Sequence, residues 1–309
     1  MLISNHQSHI DIALILMLHP KLLELTNDRV QNSRFYGPLI KMAEFFAASD
    51  GMESLAKQLR KNVDEGYSVL IFPEGTRSFD GHVQRFHKGA FYLAEELKLD
   101  ILPVILHGSG PIMPKGEYFL RKGTATIQFI PRIKYEDQRF GTGLLEKSRA
   151  IRHYVADEYN KVREIAESPA YFRDKLLKNY IYKGPVLEWY LKIKSRLENN
   201  YELFDRYLPK EGRITDIGCG YGFLGYMLSF LSDKRLITGI DYDREKIDVA
   251  NHCPSKNDRL TFIHGDAATM DLPRSKAFVL ADMLHYLPET EQERLLVRCT
   301  EKLEDGGVI

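Results

Sequence analysis

The chain is poor in cysteine, and the three it has (Cys219, Cys253 and Cys299) are widely spaced with no CxxC pair. That argues against a disulfide framework or a zinc site and for a reducing, cytoplasmic setting. It also lacks an excess of either charge, with 43 basic and 43 acidic residues. Wholesale nucleic-acid binding, which shows a basic excess, is therefore not expected, although local basic patches remain open. No run approaches the roughly 18 apolar residues that span a bilayer, and Met1 leads directly into a strand end rather than a signal peptide. The best apolar run, Ile12 to Leu18, reads as a buried helix; association with a membrane surface stays open. What is present is ordinary for a globular protein: 44% hydrophobic and 28% charged residues over 309 positions, enough for two domains.

Residues 1 to about 135 alternate strand-like and helix-like segments. Ser68–Phe72, Ile101–Leu106 and Ala125–Ile130 are short apolar or β-branched strand candidates, and Met52–Glu65 and Ala90–Leu97 have helical spacing between them. This pattern predicts an α/β sheet. From about 143 to 208 charged amphipathic helices take over, interrupted at Gly184-Pro185, and a domain boundary is expected near residue 170. A second α/β series begins at Arg213, with strands at Ile214–Asp216, Leu236–Asp241, Leu260–His264 and Phe278–Ala281.

Chemistry concentrates first at His6-Gln7-Ser8-His9-Ile10-Asp11, where an apolar strand end gives way to a helix. A His followed by an Asp little more than one helical turn later can form a dyad. The acid holds the ring tautomer while the other ring nitrogen takes a proton from a hydroxyl. Nothing marks Ser4 or Ser8 as an activated nucleophile, so direct attack by a substrate alcohol on an acyl donor is the simplest chemistry. A second element, Phe72-Pro73-Glu74-Gly75-Thr76-Arg77-Ser78, follows a strand; Gly75 permits a tight turn, and Arg77 can fork onto a phosphate or carboxylate. Phe86-His87-Lys88-Gly89 adds a cation before a helix start.

These residues resemble the glycerolipid acyltransferases. Asn5-His6-x4-Asp11 looks like that family's first block, Phe72–Ser78 with Phe86-x-Lys88-Gly89 its third, and Leu102-Pro103-Val104 its fourth. The resemblance implies His6 as base, Asp11 as its partner, and Glu74, Gly75, Thr76 and Arg77, with Lys88, as the acceptor subsite. It also implies acyl-CoA or acyl-carrier protein as donor, a lysophospholipid-like acceptor and a place in phospholipid biosynthesis. One stretch departs from the pattern: the second block corresponds to Phe45-Phe46-Ala47-Ala48-Ser49-Asp50, which ends in an acid where the family carries a base. Acylation of a non-glycerol lipid or a polyene therefore stands as the alternative.

In the C-terminal half, Asp216-Ile217-Gly218-Cys219-Gly220-Tyr221-Gly222 follows a strand and opens a helix, the place for a nucleotide-like ligand. Gly220–Gly225 also satisfies GxGxxG, so a nicotinamide or flavin site competes, and Asp241 would meet ribose hydroxyls in either case. Asp216 at the strand end suits the cationic aminopropyl group of S-adenosylmethionine and would repel a pyrophosphate. Asp266-Ala267, after the next strand, places an acid near an adenine amino group.

The row resembles class I S-adenosylmethionine-dependent methyltransferases. In that resemblance Asp282–Leu287 follows strand four and Leu303-Glu304-Asp305-Gly306-Gly307 forms the turn before strand five. The implied cofactor residues are Asp216, Gly218, Gly220, Gly222, Asp241, Asp266 and Ala267. His285 is a base candidate but more readily a lining residue, and His252 and His264 read as structural. The expected fold is thus α/β in two domains: an acyltransferase-type sheet domain at 1–142, helices at 143–208, and a truncated Rossmann-like methyltransferase domain at 209–309. Two such domains in series resemble the C-terminal part of bacterial proteins in which a membrane transporter precedes them. The expected location is the inner face of the cell membrane. An alternative for the second domain is a cofactor-binding or interaction module without turnover.

Overall fold

The computed structural model describes residues 1–26, 46–47, 51–117, 119–197 and 200–309. It divides into two compact units, Met1–Glu164 and Ile165–Ile309.

The first unit is built on a six-stranded sheet. In chain order its strands are β1 (Leu2–Ser4), β2 (Leu22–Thr26), β3 (Phe46–Ala47), β4 (Ser68–Ile71), β5 (Leu102–His107) and β6 (Thr126–Phe129). Their spatial order is β3-β2-β4-β1-β5-β6, parallel except for the final β5–β6 pair. Strand β1 has only three residues, yet both its edges are paired, to β4 and to β5. Alternation along β4 and the residue beyond it sends Val69 and Ile71 into one core and Leu70 and Phe72 into another. The first core is completed by helices α2 (Met52–Asp64), α3 (Gly89–Glu96) and α5 (Leu144–Ala166), which contribute Leu55, Leu59, Phe91, Ile151 and Val155. The second takes Ile15 from α1 (Ile10–Leu16), so the apolar run at Ile12–Leu18 is only partly buried: Met17 and Leu18 are exposed. A short helix, α4 (Ser109–Ile112), follows β5. The second-block stretch at residues 45–50 lies outside the described residues, apart from the backbone of β3.

Glu24, on β2, is buried, and its Oε2 has no hydrogen-bond partner among the described residues. Loss of water raises its pKa to about 8. An acid whose pKa is higher folded than unfolded contributes stability below the unfolded value, and that stability is lost as pH climbs through the folded one. Glu74, raised to about 7 by burial, adds in the same direction. His9, lowered to about 4, and the Met1 amino group, lowered to about 6, pull the other way by losing stability as pH falls, so a comparison with a Glu24 variant isolates the contribution of that acid. Glu24→Gln should match the wild type at pH 5 and exceed it at pH 9 by an amount on the order of a few kcal/mol. Calorimetric melts at the two pH values check this; a variant that gains nothing at pH 9 contradicts it.

The second unit holds five parallel strands in the order β11-β10-β7-β8-β9. They are β7 (Gly212–Ile217), β8 (Arg235–Asp241), β9 (Leu260–His264), β10 (Ser275–Val279) and β11 (Leu303–Val308). Residues Leu303–Gly307, expected as a turn, are part of β11 itself. The glycine pair sits where the β10–β11 register shifts, and that irregularity accommodates it. Strand order reverses at β7, whose neighbours are β8 on one side and β10 on the other. Such a switch point opens a crevice at the carboxyl ends of the strands. Helices α6 (Pro169–Lys178), α7 (Pro185–Leu197) and α8 (Asn200–Tyr207) precede the sheet; α9 (Phe223–Leu231), α10 (Arg244–Asn251) and α11 (Glu289–Lys302) connect its strands. Arg235, fully buried at the start of β8, fastens α8. Its guanidinium reaches the Asp205 carboxylate at 2.7 Å and the carbonyl of Pro209 at 2.8 Å.

Candidate functional sites

In the first unit the site forms where β1 ends. Asn5 extends the β1–β5 pairing with its side chain, donating to the Leu106 carbonyl and accepting from the Leu106 N–H, each at 2.8 Å. The next residue, His6, is thereby held at the sheet's carboxyl edge. Its Nδ1 lies 3.0 Å from Asp11 Oδ2, and its ring stacks on Phe72 at a centroid distance of 4.3 Å. Asp11 is fully buried, and the same Oδ2 accepts the backbone N–H groups of Gln7 and Ser8 at 2.7 and 2.8 Å. The carboxylate is thus fixed by the loop that leads into its own helix and fixes the imidazole in turn. Nothing among the described residues hydrogen-bonds His6 Nε2, which leaves that nitrogen for a substrate proton.

The turn at Phe72–Ser78 meets His6 through its backbone: the Ser78 N–H donates to the His6 carbonyl at 2.7 Å. Gly75 has φ +65°, so the turn favours glycine there, and a Cβ would come within 3.3 Å of the exposed His87 ring. Glu74 does not face an acceptor. Its carboxylate is buried, accepting the His6 N–H at 3.0 Å through one oxygen and the Gln84 N–H at 3.1 Å through the other. The residue therefore clamps the base-bearing loop instead of contacting substrate. Of the other turn residues, Thr76 is exposed and Arg77 half-buried. Lys88 is exposed at the start of α3, with no partner for its ammonium among the described residues.

Three features here had no signal in the sequence. His9 lies close enough to feel Arg77 and His6; burial and those two neighbours lower its pKa to about 4, so it is a neutral imidazole. Lys115, from the segment after α4, reaches Thr76 Oγ1 at 3.2 Å and the Arg77 carbonyl at 2.7 Å. Helix α5 fastens the loop behind the turn: Ser148 donates to the Phe86 carbonyl at 2.9 Å and Arg152 to that of Val83 at 2.7 Å. Tyr159, also on α5, is hydrogen-bonded to the Gln7 side chain next to the dyad.

In the second unit a cleft of about 1020 Å³ opens at the β7 switch point. Six of the seven residues expected to hold a cofactor line it, namely Asp216, Gly218, Gly220, Asp241, Asp266 and Ala267; Gly222 does not line it and sits instead against Phe262 and Ala250. The glycines have separate duties. Gly218 and Gly222 have positive φ, and a Cβ would strike Met283 at 2.8 Å or the Phe262 ring at 2.6 Å. At Gly220, also positive in φ, a Cβ would meet nothing nearer than 4.0 Å, so this residue leaves the turn open for a ligand's approach.

Asp216 is buried, and desolvation together with the adjacent Asp241 raises its pKa to about 7. Asp241 accepts the Gly220 N–H at 2.7 Å and the Asp243 N–H at 2.9 Å, tying the glycine turn to the end of β8. Asp266 is exposed, with Oδ1 accepting the Ala268 N–H at 2.8 Å. Two carboxylates beside an open glycine suit a ligand carrying positive charge and ribose hydroxyls, and the cleft is large enough for a nucleoside with room to spare. The opposite wall, which the sequence did not disclose, comes from α7 and α8: Tyr190, Lys194, Tyr201 and Phe204. His285 lines the cleft beside Tyr286, whereas exposed His252 and His264 bond to the Asp248 and Tyr242 carbonyls.

Residues 1–107 match the family model described as acyltransferase, and residues 214–307 match the one described as methyltransferase domain. A 1-acyl-sn-glycerol-3-phosphate acyltransferase of Chlamydomonas reinhardtii is 34% identical over 148 residues, covering 44% of this chain and 43% of the relative. One of the same name from Cocos nucifera is 30% identical over 159 residues, covering 50% and 49%. The chain thus spans about half the length of the curated relatives it matches. Among solved structures, the 1-acyl-sn-glycerophosphate acyltransferase PlsC of Thermotoga maritima is similar with a TM-score of 0.43 and 23% identity, covering 53% of this chain and 65% of that one. The chain carries an acyltransferase domain followed by a methyltransferase domain.

Proposed function

We propose that the first unit transfers an acyl group from a thioester, acyl-CoA or acyl-carrier protein, to the hydroxyl of a lysophospholipid-like acceptor at a membrane surface. The observation that carries this reading is the His6–Asp11 pair, 3.0 Å apart, on a loop whose His6 carbonyl is tied to the Ser78 end of the Thr76-Arg77 turn. Asp11 holds the proton on Nδ1, and Nε2 accepts the proton of the acceptor hydroxyl as its oxygen forms a bond to the thioester carbonyl. The tetrahedral adduct collapses with loss of the carbon–sulfur bond, and the thiolate recovers the proton from the imidazolium. No acyl-enzyme is needed. Arg77 orients the acceptor through its anionic group, as the relatives' names suggest. Among the described residues no helix is long and apolar enough to cross a membrane.

The second unit, in this reading, holds S-adenosylmethionine, whose sulfonium supplies an activated methyl group when bound. Asp241 would present acceptors for ribose hydroxyls, Asp216 would offer negative charge to the amino-acid portion, Gly220 would admit the ligand and Asp266 would serve the adenine amino group. The protein's contribution to transfer is mainly to hold the methyl acceptor in line.

A kinetic split tests the roles of two neighbours in the turn. Arg77→Ala should raise KM for an anionic acceptor at least tenfold and leave KM for the donor within twofold. Glu74→Gln should instead lower kcat by about 10–100-fold, because an amide can accept only one of the two N–H groups the carboxylate holds. Equal effects of Arg77→Ala on both substrates would remove the anion subsite from this account.

A further inference from the structure

We propose that Lys115 is a specificity-determining residue of the acceptor site, completing with Thr76 and Arg77 a subsite for a phosphate group. This rests on the acyltransferase reading above and extends it to a residue outside the 1–107 match. Lys115 arrives from the chain that follows α4, remote in sequence from the Phe72–Ser78 turn. Its ammonium donates to Thr76 Oγ1 at 3.2 Å and to the Arg77 carbonyl at 2.7 Å, and lies 3.7 Å over the centroid of the Phe79 ring. No carboxylate pairs with it among the described residues, so its charge is not neutralised by the protein there. It is half-buried, held against the turn rather than extended into water.

Two consequences follow for an incoming anion. An ammonium has three donors, and two are committed to the turn, so one is left to reach outward. Thr76, accepting from Lys115, keeps its own hydroxyl proton free to donate. The turn therefore offers a lysine donor, a threonine hydroxyl and the Arg77 guanidinium from one short segment. Lysine here acts as a point charge and arginine as a planar fork, a complementary pair for phosphate oxygens. The same turn is bonded to the His6 carbonyl through Ser78, and His9, between base and turn, is neutral. Positive charge thus gathers on the Arg77–Lys115 side and not around the base, which would otherwise be harder to protonate.

The test uses the full chain with Lys115→Met and Lys115→Arg, assayed with 1-acylglycerol 3-phosphate and with uncharged monoacylglycerol as acceptors. Lys115→Met should raise KM for the phosphate-bearing acceptor at least tenfold, with kcat, the donor KM and the rate on monoacylglycerol within threefold of wild type. Lys115→Arg should restore most of the loss. Equal losses on both acceptors, with a lowered melting temperature, would make Lys115 a tether of the turn only and overturn the inference. An unchanged KM in Lys115→Met would also overturn it while leaving acyl transfer intact. A wild-type chain that acylates monoacylglycerol but not the phosphate-bearing acceptor would overturn the anionic-acceptor reading itself, and the role of Lys115 with it.

Discussion

His6→Ala should lower kcat for acyl transfer by about 10²–10⁴-fold, the range contributed by a positioned general base. The fold should survive, because the His6 side chain contributes only its stacking on Phe72 and its bond to Asp11, and Asp11 Oδ2 keeps the Gln7 and Ser8 N–H groups when the imidazole is gone. The backbone contacts that organise the loop, His6 N–H to Glu74 and His6 carbonyl to the Ser78 N–H, do not depend on the imidazole. A melting temperature near wild type, together with an unchanged acceptor KM, would separate loss of a base from loss of structure. Asp11→Asn should behave differently. The carboxylate accepts from His6, Gln7 and Ser8 at one oxygen, so its replacement loosens the helix start as well as the imidazole. Retention of full activity in His6→Ala would remove the dyad from the mechanism.

The second large effect is expected at Asp241. Its two oxygens fasten the Gly220 and Asp243 N–H groups, so removing the carboxylate takes away ribose acceptors and releases the glycine turn. Asp241→Ala should weaken S-adenosylmethionine binding by about 100-fold or more, near 3 kcal/mol. Asp266→Ala, at an exposed position on the rim, should cost about tenfold or less. Isothermal titration of the full chain with S-adenosylmethionine measures both. A change below threefold in Asp241→Ala would place the ligand elsewhere, and no binding to a folded wild-type chain would end the cofactor assignment.

What could be read from the sequence was what is local. His6 and Asp11 stand five positions apart, little more than one helical turn, so their spacing alone predicts that they can meet. The glycine turn after β7 is equally local, and its acids at strand ends follow from the parallel sheet. Long-range choices were not legible. Whether Glu74 faces solvent or protein is decided by bonds to His6 and Gln84, and the first partner is 68 positions away. Lys115 sits in a loop with no pattern around it, and only the return of the chain after β5 brings it to Thr76. Helices α7 and α8 are amphipathic in sequence, but periodicity states that a face is apolar, not that it walls a cleft. The Gly306-Gly307 pair, which the methyltransferase resemblance puts in a turn before the last strand, lies within β11, where the register shift against β10 absorbs it.

The most direct measurement incubates the purified chain with an acyl thioester and 1-acylglycerol 3-phosphate and follows lipid by mass spectrometry and free thiol by titration. The wild type should give a diacyl product and free thiol in equal amounts, and His6→Ala neither above background. Thiol release without acylated lipid, or the same product from His6→Ala, would contradict this.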